Sequence, residues 1–154
     1  MNYAASAPAG AASITAATAA LIGIYNPASA TMAAAKLYEW SVGPGGNSAD
    51  EIYSVRLRRT TTAASTWGAA ITPAATDPKG SASVTLAGAN SSARATLVAG
   101  NVGSWGFHMR GGFRFVSIPG GEIMNTLTFN CGIELEYFFA QGSSVLEPNF
   151  FFSE

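Results

Sequence analysis

The stretch that most constrains this chain runs from Phe113 to Phe139, FRFVSIPGGEIMNTLTFNCGIELEYFF, where two runs of alternating side chains flank a Pro-Gly-Gly break. In the second run Ile133, Leu135 and Tyr137 fall on one side and Glu134 and Glu136 on the other, which is the period of two of a half-buried β-strand. In the first, Phe113 and Phe115, with Val116 beside them, are set against Arg114. Pro119 has no N–H to give a ladder, and Gly120 and Gly121 accept positive φ, so Ser117 to Gly121 is expected to be a turn. The expected path goes out along one strand, turns and returns along the other.

The same pattern recurs along the chain. Thr15 to Tyr25 reads as a strand closed by Asn26-Pro27, and Lys36 to Val42 as a strand in preference to the helix that the alanines at 28, 30 and 33–35 suggest. Glu51 to Thr62 follows, with Ile52, Val55 and Leu57 taken as the apolar side. That spacing is off by one from strict alternation and requires a bulge near Ser54. Short extended segments are expected at Ala69 to Thr72, Ser81 to Leu86, Ala93 to Val98 and Trp105 to Arg110, with Gly88 to Ser92 as a turn. Many short strands punctuated by Gly and Pro, with no amphipathic helix, specify a sandwich or barrel. The long connections Gly43 to Asp50 and Trp67 to Lys79 favour a jelly-roll-like antiparallel β-sandwich. The chain is divided into a single sandwich domain at 15–154 and an extended N-terminal arm at 1–14. The arm is made of Ala, Ser, Pro and Gly around Tyr3 and is expected to order only on a partner. No tandem repeat argues for a propeller or β-helix.

Only 11% of residues are charged while 48% are hydrophobic, so Ser, Thr, Asn, Ala and Gly must cover the surface, and such a surface suits packing against neighbours. A homo-oligomer is expected. Phe150, Phe151 and Phe152 carry several hundred Å² of apolar surface at roughly 150 to 250 Å² per ring, so they are expected to bury against a neighbouring subunit or to fold back on the sandwich. A formal net charge of −1 gives no electrostatic case for nucleic acid or an anionic membrane. No run of apolar residues is long enough for a membrane helix, and the alanine-rich start lacks the basic region of a signal peptide, so the mature chain is read from Met1.

Chemistry is sparse. His108 is the single histidine, and a Ser-His-Asp arrangement would pair it with Asp50 or Asp77, without any G-x-S-x-G motif. One Cys and one His do not make a zinc site, and Cys131 reads as a small buried hydrophobe; no metal or cofactor is expected. Glu134 and Glu136 have the pairing that glycoside chemistry uses, yet two acids on one strand face are more simply solvated or salt-bridged. Arg56, Arg58 and Arg59 form the one basic cluster, read either as an anion contact or as a charged strand edge or intersubunit ion pair. No enzyme is expected.

Leu21-Ile22-Gly23-Ile24-Tyr25-Asn26-Pro27, the later Phe113-Arg114-Phe115-Val116-Ser117-Ile118-Pro119-Gly120-Gly121-Glu122 and the Ala/Ser-rich arm resemble small tailed-phage proteins that decorate or cement an icosahedral capsid. The resemblance implies a β-sandwich subunit, usually a trimer, seated on the major capsid protein at the outer surface of a virion where capsomers meet, with no catalytic residue. Tyr3, Arg56, Arg58, Arg59, Phe150, Phe151 and Phe152 are then the candidate partner-binding residues. The alternative is a carbohydrate-binding sandwich or glycan-active hydrolase with Trp40, Trp67 and Trp105 as sugar-stacking platforms.

Overall fold

Alternation becomes a strand wherever one face can be buried, and this chain builds two such layers. In the computed structural model residues 1–8, 12–13, 20–28, 34–45, 50, 52–61, 66–93, 96–98, 102–108, 110–125, 129–139 and 145–154 are described. They form β1 (Asn2–Ser6), β2 (Ala12–Ser13), β3 (Ala20–Tyr25), β4 (Lys36–Pro44), β5 (Ile52–Arg59), β6 (Thr66–Ile71), β7 (Ala74–Ala75), β8 (Leu86–Ala93), β9 (Gly103–His108), β10 (Phe113–Val116), β11 (Ile123–Met124), β12 (Gly132–Phe139) and β13 (Val145–Ser153). The described elements are all strands, and every ladder between them is antiparallel.

One sheet has seven strands in the order β10-β4-β13-β1-β7, with β11 also on β4 and β2 on β13; the other has six, β6-β8-β3-β12-β5-β9. The expected antiparallel β-sandwich is therefore what forms. Leu37, Trp40, Val42, Leu146, Phe150, Phe152 and Tyr3 from the first sheet meet Ile22, Ile24, Tyr53, Val55, Leu57, Ile133, Leu135 and Tyr137 from the second in one buried core. Phe113 and Phe115 pack against it, as their alternation with Arg114 predicts.

Several expectations are corrected. The two runs of the Phe113–Phe139 stretch do not pair with each other: β10 lies on β4 in the first sheet, whereas β12 lies between β3 and β5 in the second. The Pro119 turn, with Gly120 at φ +83°, instead returns the chain to the same edge of β4, where β11 pairs Ile123 with Leu37. Alternation identifies strands but not partners, because partners are chosen by shape and burial across the whole domain. In β5 the inward side is Tyr53, Val55 and Leu57, and Ile52 stands 66% exposed. Strict alternation is thus kept on β5, and the irregularity lies on β12, between Tyr137 and Phe139 opposite Val55 and Ser54. Ser81 to Thr85 is not strand, while Gly88 to Ser92, expected as a turn, is the body of β8. Of the segment Ala93 to Val98, Ala93 ends β8 and Leu97 makes a single bridge to Thr60, whereas 94–95 lie outside the described residues. Of Thr15 to Tyr25, residues 15–19 lie outside the described residues as well.

The N-terminal residues also depart from the free arm. Asn2–Ser6 is an interior strand of the seven-stranded sheet, paired along its length with Ser153–Asn149 of β13 and with Ala74–Ala75 on its other side. Tyr3 and Ala5 point into the core. Small side chains bury little area, but ladder hydrogen bonds on both edges and a Tyr3 ring stacked 5.5 Å from Phe152 offset the ordering entropy that was expected to keep this segment loose. β13 itself alternates without a break: Leu146, Pro148, Phe150 and Phe152 are buried. The phenylalanine tail therefore folds back on its own sandwich.

Glu154 ties the end of β13 to the segment leading into β8 of the other sheet. Its carboxylate accepts hydrogen bonds from Ser83 Oγ at 2.6 Å, the Thr85 amide at 2.7 Å and the Val84 amide at 3.1 Å. Burial alone would raise its pKa, but the bonds from Ser83, Thr85 and the backbone outweigh this and hold the group below the usual carboxylate value. A carboxyl whose folded pKa is depressed contributes stability above the unfolded pKa, about 4.3, and loses it as pH falls through the folded value. Glu154→Gln is accordingly expected to lower the melting midpoint at pH 7, with the gap to wild type closing on acidification below about pH 4. Thermal melts at several pH values measure this, and a constant gap would contradict it. For the core, Leu135→Ala is expected to cost about 2 to 5 kcal/mol in chemical denaturation, and an unchanged midpoint would refute the burial of that side chain.

Candidate functional site

The structure brings together on one surface several groups that lie far apart in the sequence. β12 runs beside β5 with Glu134 opposite Arg58 and Glu136 opposite Arg56. Because Ile133, Leu135, Val55 and Leu57 turn inward, these four charged side chains share the outer face of the six-stranded sheet. Arg56 Nε donates to Glu136 Oε2 at 2.8 Å, and Arg58 Nη1 lies 3.7 Å from the same oxygen. Glu134 and Glu136 are only 3% and 1% exposed, although they lie on an outer face.

Part of the cover comes from Trp67 on β6. Gly88 of β8 and Gly23 of β3 are cross-strand partners, and Glu134 is the next residue across. A Cβ on Gly88 would stand 2.3 Å from the indole and one on Gly23 2.6 Å, so the ring occupies the space that two missing side chains leave. It lies parallel to Tyr25, with centroids 6.1 Å apart and planes 13° apart, and the Gly23 position is also 3.0 Å from Glu134 Cγ. A glycine inside an apolar strand signals such a close approach, and Gly23 and Gly88 were the signals available in the sequence. The expectation of a solvated Glu face is thereby corrected, while its salt-bridge alternative holds for Glu136.

The arrangement is suited to holding strands together more than to proton transfer. One oxygen of Glu136 is held by arginines, and the other, with Arg58 Nε and Trp67 Nε1, is buried without a hydrogen-bond partner. The contacts that Glu136 makes all run across the β5–β12 ladder, so its charge is used to hold those two strands in register.

The other candidates disperse. Arg59 leaves the cluster and donates from Nε to the Met124 carbonyl at 2.9 Å, bridging β5 to β11 of the opposite sheet. Tyr3, Phe150 and Phe152 are core residues with no surface to offer, and Phe151 is half-buried on the other side of β13. Trp40 is fully buried, with Trp105 edge-on to it at 4.9 Å, so neither is a sugar platform. His108 Nε2 does meet Asp50 at 2.8 Å, but both are exposed and Nδ1 accepts from the Arg110 amide at 3.4 Å. That leaves no imidazole nitrogen to activate a serine. Cys131 is buried and donates to the Thr61 carbonyl.

The seat of Trp67 is testable with a control. Gly88→Ala is expected to cost about 1 to 3 kcal/mol and to shift tryptophan emission to longer wavelength as the indole is lifted from the sheet. Gly43→Ala, where an added Cβ meets nothing within 4 Å, is expected to do neither. Equal melting midpoints for the two variants would show that the indole is not seated on Gly88. No family model, curated protein or solved structure matches the chain, so its function is read from its own surfaces.

Proposed function

We propose that this chain is a structural subunit that works by assembly, as a decoration or cement protein bound to the major capsid protein on the surface of an icosahedral phage shell, and that it forms a trimer. The observation that carries the reading is the edge formed by β10 and β11 on β4. There Val116, Ile118 and Met124 are 54%, 77% and 44% exposed, on two short strands and the turn that joins them. An apolar row on a sheet edge is costly in a lone monomer and natural in a subunit whose neighbour covers it. The outer side of the seven-stranded sheet carries Ala4, Ser6, Ser41, Asn149 and Phe151 together with the charged Glu39, Arg114 and Glu147, so small residues that allow close approach are interspersed with polar groups that a neighbour can engage. The same reading takes the sandwich to be of the jelly-roll kind, supported by a chain that repeatedly crosses between the sheets.

The alternative, glycan binding through three tryptophans, loses support from the burial of Trp40 and the packing of Trp105 against the core.

Light scattering of the purified protein together with a glycan array separates the two readings. A stable trimer without glycan signal is the expected outcome, and a monomer with a selective glycan signal would overturn the assembly reading. Ile118→Asp is expected to leave the melting of the fold within about 0.5 kcal/mol of wild type, because the side chain is exposed, while weakening the oligomer or its retention on shells. Retention equal to wild type would remove this edge from the interface.

A further inference from the structure

On the same margin as the apolar edge, two residues before Val116, the outer face of the seven-stranded sheet opens into a cleft of about 320 Å³. Ser41, Gly43, Gly112, Arg114, Glu147 and Asn149 line it. Its shape has local causes. Gly112 takes φ +61° as the chain enters β10, and a Cβ there would stand 2.8 Å from the Val42 carbonyl. Gly43, opposite Glu147 on β13, leaves open space where a side chain would project.

The chemistry inside is set by which groups are already engaged. Asn149 Nδ2 donates to Ser41 Oγ at 3.5 Å and to the Glu147 carbonyl at 3.3 Å. Arg114 directs Nε and Nη2 to the two carboxylate oxygens of Glu39 at 2.7 and 2.9 Å, which neutralises it and leaves only its Nη1 edge free. The Glu147 carboxylate has no cation and no hydrogen-bond donor among the described residues. What remains in the cleft is one uncompensated negative charge beside the acceptor oxygen of Asn149. Such a site attracts a group that carries positive charge and several N–H donors.

We infer that this cleft receives a lysine or arginine side chain of a partner protein that lies along the β10–β11 edge. The partner's identity as a protein rests on the assembly reading above; the preference of the cleft for an organic cation rests on Glu147 and its surroundings alone. Arg114 and Val116 are alternate residues of one strand, about 7 Å apart. Glu147 sits two strands in from that edge, about 10 Å across the ladders, so a segment that covers Val116 and Ile118 with apolar side chains reaches it with a long basic side chain laid across β10 and β4. The apolar contact supplies area, and the ion pair sets register and orientation.

The test uses the intact protein labelled with nitrogen-15 and titrated with N-acetyl-arginine amide, with N-acetyl-leucine amide and maltose as controls. Saturable amide shifts are expected at Ser41, Gly43, Gly112, Glu147 and Asn149 with the arginine compound alone, and they should fade in 1 M salt, where the screening length is about 3 Å. Glu147→Gln is expected to weaken the response about fivefold, the scale of one partly exposed ion pair. Gly43→Leu, which fills the cleft and keeps the carboxylate, is expected to abolish it. Absent or scattered shifts, a response unchanged in either variant, or a stronger response to maltose would overturn the inference. Saturable cleft shifts in a protein that proves monomeric would keep the cation site and overturn the assembly. A stable trimer with a flat titration would do the reverse.

Discussion

The contact on which the rest of the sandwich depends is the one Trp40 makes between the layers. Its indole, at the middle of β4, meets Trp105 of the opposite sheet edge-on at 4.9 Å and lies 5.0 and 6.1 Å from Phe113 and Phe115 on the neighbouring strand. Rings of this size fill the space of about 10 Å between two packed sheets and fix how far apart the layers stand. β10 is then held in place from inside by Phe113 and Phe115 and from outside by the Arg114–Glu39 pair. The edge strand is short, but both of its faces are anchored, so its apolar row and the adjacent cleft are presented at fixed positions.

The two outer faces use their residues differently. On the six-stranded sheet, charges are concentrated and then covered: Glu136 is taken out of water by two arginines, while Trp67 spans two glycines next to Glu134. Removing ions from water is costly, and their attraction at low dielectric offsets that cost only when partners are close, so the gain is more in fixing the alignment of β5, β12 and β3 than in net stability. On the seven-stranded sheet the charges stay at the surface: Arg114 pairs with Glu39, and the carboxylate of Glu147 lines the cleft beside Arg114 without a cation of its own among the described residues. Charges left at the surface are the ones that a partner can engage to set its register.

Much of the fold was legible because a period of two is a local property. Ile133, Leu135, Tyr137, Phe113, Phe115 and the β4 residues Leu37 and Val42 are inward in the structure as their spacing requires. Local patterning also placed the turn at Pro119 and the strand following Ala35. It misassigned the phase of β5, where Ile52 was taken inward and Tyr53 outward, since hydrophobicity alone ranks the two in the wrong order when the aromatic ring is the larger surface to bury. The candidate site was legible only as fragments. Arg56, Arg58, Trp67, Glu134 and Glu136 could each be singled out, but residues 67 and 134 become neighbours only through the order β6-β8-β3-β12.

The sequence by itself determined that this chain would be an all-β sandwich with little charge at its surface, because alternation, Gly and Pro breaks and composition act through neighbours a few residues away. Only the tertiary structure decided that β10 and β12 belong to different sheets, that Asn2–Ser6 is an interior strand, that Phe150 and Phe152 serve their own core, and that Glu134 and Glu136 are covered. Each of these depends on which distant strand comes to lie alongside, and that choice is made by simultaneous burial of side chains from both sheets, a condition that no single stretch of sequence contains.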